Sequence, residues 1–363
     1  MFSEWAGARI PYNHNASSSL RYTLRMPRVC ILPAVEGIGG MATFRQKFEA
    51  GLHRHGIEVS HDPRSYCDAI LIIAGTRHIW PLIHARRRGI RIIQRLDGIN
   101  WVQRRRNTGP RHFLRAEYGN LVLSFIRARV ATRILYQSKF TQRWWNDWYG
   151  APPKPSSVVH NGVDLDEYRP AGTGERAANR HRLLVVEGSL GGGYDMGLEN
   201  ALELAGALQS RHGFPMELFV VGKIGAAQRT AVQRRASVPI EWAGAVARDR
   251  VPDIDRSAHL FFSADLNPAC PNAVIEALAC GLPVVAFDTG ALNELVIGDS
   301  GRLVPYGGDP WRLQKPDIPA LAEASAEILR DRPRFSRAAR AHAENALGLD
   351  RMIDGYLKAL LEA

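Results

Sequence analysis

Asn267-Pro-Ala-Cys-Pro-Asn-Ala-Val-Ile-Glu-Ala-Leu-Ala-Cys-Gly-Leu-Pro-Val-Val-Ala286 reads as a loop, a helix, a tight turn and a strand. Pro271 suits the first turn of a helix, where its missing N–H costs nothing. The helix is expected over 272–280, Gly281-Leu-Pro283 ends it, and Pro283-Val-Val-Ala286 launches a short apolar strand. A helix that feeds a strand in this way is one step of the alternating pattern that builds a parallel sheet.

The pattern continues in both directions. Upstream lie strands at 260–262, 217–221 and 183–186, a helix at 196–212 and a glycine loop from Gly188 to Gly193. A Pro/Gly/Ala-rich linker over 170–178 precedes them. Before that comes a second series: a strand at 28–32, a loop with Gly37, Gly39 and Gly40, and a helix at 42–55 with Phe44, Phe48 and Leu52 at helical spacing. Strands at 69–73, 91–93 and 133–136 follow, with a short helix at 81–88, and Ser138 opens a helix bearing Trp144 and Trp145. The last helix is expected at 350–361. Each series begins strand, glycine loop, helix, and ligands of such sheets bind beyond the carboxyl ends of the strands. The fold class is therefore α/β, with two Rossmann-like, doubly wound domains facing across a cleft. The boundaries are an extension at 1–27, a first domain at 28–165, a second at 166–346, and a final helix at 347–363 that crosses back to the first domain.

Composition agrees with two domains. The 363 residues exceed one ordinary core, and 45% hydrophobic with 23% charged residues is globular usage. No stretch approaches the roughly 20 apolar residues of a spanning helix. The N-terminal residues lack an apolar signal core, and Cys30, Cys67, Cys270 and Cys280 are too scattered for a disulfide scaffold or zinc site, so a cytoplasmic location is expected. The formal charge of +11 concentrates between Arg77 and Arg143, including Arg86, Arg87, Arg88, Arg91, Arg104, Arg105, Arg106, Arg111 and Arg115. Such a face would attract anionic lipid headgroups, an acidic polymer or nucleic acid, unless the arginines serve solubility alone.

The chemistry starts at the helix of the opening stretch. The free amides of its first turn, at Asn272, Ala273 and Val274, suit a phosphate. Glu276, one turn further, suits the vicinal hydroxyls of a ribose. With Gly290-Ala-Leu-Asn-Glu294 after it, this stretch resembles the donor-site signature of the family 4 retaining glycosyltransferases of GT-B fold, the "glycosyl transferases group 1" type. Those enzymes carry a Glu-x7-Glu motif here, a small-residue turn and a G-x-x-x-E element; Glu276 matches the second glutamate and Glu294 the last. His160-Asn-Gly-Val-Asp164 resembles their passage between domains. Gly188, Ser189, Gly222, Lys223 and Gly244 resemble the strand-end loops around the donor. Gly39 and Gly40 resemble the loop that closes on its phosphates. The resemblance spans about 28–362 and implies sugar transfer from a nucleotide-sugar co-substrate, with retention, without metal or other cofactor, to a glycan or lipid-linked acceptor in cell-surface polysaccharide or glycoconjugate synthesis. No specific nucleic acid is expected as a partner.

The departures are specific. Pro268 stands where the first glutamate belongs, which leaves Asn267 and Asp265 as polar groups for the sugar. Ser189 and Met196 stand where the family places an Arg and a Lys against the diphosphate, a loss at the point where charge develops. The amides of Gly191-Gly-Gly193, Lys223 or an arginine of the first domain are the substitutes. In Gln94-Arg-Leu-Asp-Gly98, Asp97 is the candidate to orient or deprotonate the acceptor and Arg95 to bind phosphate, against a plain reading of Asp97 as a helix or turn cap. Asp253-Ile-Asp255 and Asp164-Leu-Asp166 read as local caps rather than metal ligands. Trp144, Trp145 and Trp148 read as packing. Two other functions compete: a non-catalytic scaffold of the same fold that binds a polyanion or membrane surface, favoured by Pro268, Ser189 and Met196, and a nucleotide-sugar epimerase, whose acidic and histidine set is not recognisable.

Overall fold

A computed structural model describes residues 26–34, 37, 40–190 and 195–361. The first sheet contains β1 (Arg28–Leu32), β2 (Glu58–Ser60), β3 (Ala69–Ile73), β4 (Arg91–Leu96), β5 (Arg133–Tyr136) and β6 (Ser156–Val158). The second contains β7 (His181–Ser189), β8 (Met216–Lys223), β9 (Ile240–Gly244), β10 (Leu260–Phe262), β11 (Val284–Phe287) and β12 (Gly301–Val304). Their orders are β2-β1-β3-β4-β5-β6 and β12-β11-β10-β7-β8-β9, and every pairing is parallel. The central strands are apolar on both faces because helices cover both; all five residues of Ala69–Ile73 are buried. In each sheet the first strand in sequence is internal, so the chain winds outward in both directions and opens a crevice at the strands' carboxyl ends.

The expected helices appear with small shifts, at Gly40–Arg54, Asp195–His212, Asn272–Ala279 and Leu349–Leu361. One strand differs more. Arg91–Leu96 is longer than its apolar core, because buried Gln94 donates to the carbonyls of Ala74 (2.8 Å) and Leu123 (3.1 Å). An internal amide satisfied by backbone is tolerated inside a sheet, although its sequence reads as loop.

The chain crosses from the first sheet to the second and returns beside its own exit. Val163 pairs with Gly348, donating to Leu347 O and accepting from Leu349 N, both at 2.9 Å. The helix Leu349–Leu361 then buries Met352, Ile353 and Tyr356 against Phe44, Phe48 and Leu52 of the helix Gly40–Arg54. The Tyr356 ring lies 5.2 Å from Phe44 and 5.0 Å from Phe48. Each fully buried ring contributes on the order of 2–3 kcal/mol, so this contact fixes the helix that faces the cleft.

Candidate functional site

The loop over 267–271 follows the carboxyl end of β10, and its Pro268 packs on Gly290, just past the carboxyl end of β11. Pro271 is the N-cap of the helix Asn272–Ala279 rather than a first-turn residue, with φ −71° and ψ 119°. It has no side-chain acceptor to offer, so no cap engages the amides of Asn272, Ala273 and Val274. Asn272 and Ala273 are half-buried and Val274 is buried. The helix Gly40–Arg54 approaches this end: Asn272 Nδ2 lies 4.0 Å from the position of a Cβ on Gly40. Gly39 lies outside the described residues.

One turn on, Lys47 Nζ donates to Glu276 Oε1 at 3.0 Å, joining the two halves of the molecule. The two side chains are 5% and 11% exposed. Glu276 Oε2 has no hydrogen-bond partner among the described residues. Lys47 reaches this point because it sits between Phe44 and Phe48 on the helix's buried face, carrying its ammonium past apolar neighbours.

The loop before the helix is held in an unusual shape. Asn267 has φ 55°, is 5% exposed and leaves Nδ2 without a partner. A non-glycine residue in the left-handed region costs energy that the surroundings must supply. Gly290 supplies part of it. Its φ is +61°, and a Cβ there would lie 2.4 Å from Pro268 N and 2.5 Å from Pro268 O. Ala291 N donates to Pro268 O at 2.8 Å. From the first domain, Asn161 Nδ2 donates to Cys270 O at 2.9 Å.

Two expected roles are displaced. Arg95 is 2% exposed: its Nη2 donates to Asn161 Oδ1 at 2.9 Å and its guanidinium lies 3.8 Å from the Phe44 ring centre. It braces the crossing instead of presenting a cation to a phosphate, since β4 runs on through Leu96 and holds it inside. Glu294 reaches into the first domain. Its oxygens accept from Lys139 N (2.8 Å) and Phe140 N (2.7 Å), and His160 Nε2 lies 3.1 Å away. Burial raises this carboxyl, but those hydrogen bonds outweigh it and hold the pKa below the usual range. Glu294 therefore caps the helix Lys139–Tyr149 beside its own N-cap, Ser138.

Asp97 follows β4 and is half-buried; burial pushes its pKa up, partly opposed by Arg95. Trp145 Nε1 donates to its carbonyl at 2.7 Å, fixing the loop. Across the second sheet, Gly188 and Ser189 end β7 in the open and Ser189 pairs with Lys223 on β8. Gly222 is required there: its φ is +143° and a Cβ would lie 2.0 Å from Glu187 O. Gly244 ends β9 with φ +67°. Met196 is half-buried near the start of its helix. Asp164 and Asp253 act as expected of local caps, Asp164 Oδ1 accepting from Asp166 N at 3.0 Å and Asp253 pairing with Thr173 and Arg256.

Glu187 escaped the sequence reading, although it directly precedes Gly188 at the strand end. It and Asp265 are half-buried, and neither has a salt-bridge partner among the described residues. Burial and the mutual repulsion of the two carboxylates raise Glu187 well above its ordinary value, and burial pushes Asp265 up to about 6. A raised carboxyl binds its proton more tightly in the folded chain, so its contribution is present below the unfolded pKa and is lost as pH rises through the folded one. Wild-type protein is expected to lose melting temperature relative to Asp265→Asn between pH 5 and pH 7.5. Parallel curves for the two proteins in calorimetry would exclude the coupling.

Comparison with known proteins gives the same frame. Residues 11–167 match the family model "Glycosyltransferase Family 4", and residues 181–331 match "Glycosyl transferases group 1". The chain is 27% identical over 238 residues to a D-inositol 3-phosphate glycosyltransferase of Rhodococcus erythropolis, covering 60% of this chain and 51% of that one. It spans about half the length of the curated relatives it matches. Among solved structures, sucrose-phosphate synthase of Thermosynechococcus elongatus superposes with TM-score 0.69 at 17% identity, covering 92% of this chain and 97% of that one. HepE of Anabaena in complex with UDP-glucose gives TM-score 0.65 at 16% identity, over 93% and 100%. Two parallel six-stranded sheets with this topology, and family matches along both halves, place the chain in glycosyltransferase family 4, with the GT-B fold.

Proposed function

We propose that this chain transfers a sugar from a nucleotide-sugar, held by residues 166–346, to a glycan or lipid-linked acceptor presented by residues 28–165, with the helix from 347 onward tying the two together. The observation that carries this reading is the meeting of Gly40, Asn272 and Glu276 at the facing ends of two parallel sheets. Uncapped amides at Asn272, Ala273 and Val274 suit the diphosphate, and the open Oε2 of Glu276 suits a ribose hydroxyl. Asn267, with its unpartnered Nδ2 next to Pro268, is the polar group we assign to the sugar in place of the missing glutamate. Family membership supports retention of configuration, with the leaving phosphate taking the acceptor proton and no metal or other cofactor. The relative and neighbour named above, an inositol phosphate glycosyltransferase and a UDP-glucose complex, support a role in glycoconjugate synthesis and a nucleotide-sugar donor.

The test is thermal stabilisation by UDP, GDP, ADP, TDP and their sugars. A donor nucleotide at 100 times its Kd should add about 2.7 kcal/mol to folded stability. No stabilisation by any nucleotide would favour the non-catalytic scaffold, for which Ser189, Met196 and the uncompensated pair Glu187 and Asp265 speak.

We also place the protein at the inner membrane face. The helix Pro110–Phe125 exposes Phe113, Leu114, Tyr118, Leu121 and Phe125 along one stripe, with Arg111 and Arg115 on the same helix. An exposed apolar stripe flanked by cations suits the interface of an anionic bilayer. No helix among the described residues is long and apolar enough to cross a membrane. Wild-type protein should sediment with phosphatidylglycerol vesicles and Leu114→Glu/Leu121→Glu should remain in solution; equal partitioning of the two removes this placement.

A further inference from the structure

A cavity of about 610 Å³ opens where the two halves meet, beside the loop of Asp97. Its walls include Trp101, Trp144, Trp148 and Trp311, with Arg105 and Arg143 exposed. Three of the tryptophans come from the first half; Trp311 comes from the short turn Pro310–Arg312 of the second. The Trp311 ring meets Trp101 and Trp144 edge-on, each at 5.0 Å. The cavity's placement follows from Gly98: a Cβ there would lie 3.0 Å from Trp144 and 3.9 Å from the Ala269 side chain. Gly98, one residue past Asp97, therefore lies against both the Trp144 wall and the segment just ahead of the helix Asn272–Ala279.

The cavity is open to solvent along its outer rim, where Arg105, Arg143 and Trp148 are exposed, so a solute can enter it. Trp144 is 5% exposed, yet its indole N–H has no acceptor. Such an unmet buried donor costs about 1–3 kcal/mol, so this wall is not optimised for stability alone. The charge is one-sided. Arg104 is neutralised by Glu117 at 2.6 Å and lies over the Trp148 ring at 4.8 Å. Arg105 and Arg143 have no acidic partner among the described residues, and Asp147 is the one acid in the wall.

Indole faces take the C–H face of a pyranose, and guanidinium groups take carboxylate or phosphate oxygens. We propose that this cavity is the acceptor subsite and that it binds a pyranoside carrying a fixed negative charge, either a uronate or a sugar phosphate. The assignment rests on the transfer reading above and gives its acceptor a chemical class. The arginines set the preference for charge, and the tryptophans hold the ring beside the Asp97 loop.

Binding of methyl glucuronide, glucose 6-phosphate and neutral methyl glucoside to the full chain can be followed by intrinsic tryptophan fluorescence and calorimetry. At least one charged sugar should bind, and bind at least about tenfold more tightly than methyl glucoside. Arg143→Gln should erase that preference and Trp148→Ala should weaken all binding, with melting temperatures held, because both side chains are exposed. Which charged sugar binds distinguishes uronate from phosphate. Equal binding of charged and neutral sugars, variants that bind like wild type, or quenching by an oligothymidylate and by neither charged sugar overturns the proposal. Nucleotide stabilisation run in parallel separates the two readings: loss of nucleotide binding with acidic sugars still bound removes the transferase alone, and the reverse removes this subsite alone.

Discussion

Glu276→Ala is expected to lower the unfolding free energy by about 3–5 kcal/mol and to abolish stabilisation by the donor nucleotide. The first effect comes from Lys47, whose ammonium is then buried over the Tyr168 ring, 5.6 Å from its centre, without its counter-charge. A buried ion removed from its partner costs far more than the pair contributed. The second effect comes from Oε2, the half of the carboxylate that the protein leaves open. The two are separable. The double variant Lys47→Met/Glu276→Leu replaces the pair by apolar groups of similar size and should recover most of the stability while remaining blind to nucleotide. Urea unfolding read beside nucleotide thermal shifts checks this. Nucleotide affinity retained by the double variant would take Glu276 out of the donor site and leave it as a bolt between the halves.

Gly290→Val is expected to lower kcat/KM on the order of 10²-fold, since a displacement of about 1 Å at a reacting centre is enough for that. Any side chain at this position meets the backbone of Pro268, which cannot rotate away as a flexible side chain could. The strain passes to Asn267, already at φ 55°, and through Pro268 to the start of the helix Asn272–Ala279. Gly298→Ala is the control. It also has positive φ, at +57°, but nothing lies within 4 Å of its Cβ, so it carries backbone strain without the collision. Activity should survive there at the cost of a modest fall in melting temperature, of about 1–3 kcal/mol of strain. Equal losses in both variants would show that backbone strain, rather than the seating of Pro268, is what matters.

The division between sequence and structure is visible at single residues. Strand Val284–Phe287 and helix Asn272–Ala279 were legible because each follows from local rules: apolar runs, proline and glycine punctuation and helical spacing act within a few residues. The same rules reveal the two series of alternating units, and with them the parallel sheets and the crevice at their carboxyl ends, while the family came from the resemblance of the 267–294 stretch to a known signature. They failed at Gln94 and Arg95, which read as loop because their partners, Ala74, Leu123 and Asn161, are distant in sequence. They failed again at Glu294, where motif position suggested a donor contact and folding gave the carboxylate two amides of a first-domain helix. Lys47 was in principle readable, since it shares the stripe of Phe44 and Phe48, yet nothing local names a counter-charge 229 residues away. Composition and periodicity thus determined which elements form and which of their faces are apolar. Only the tertiary structure decided which charges meet, because a buried ion takes whichever opposite charge the packing of two domains brings within about 3 Å, and that distance is set by the whole fold.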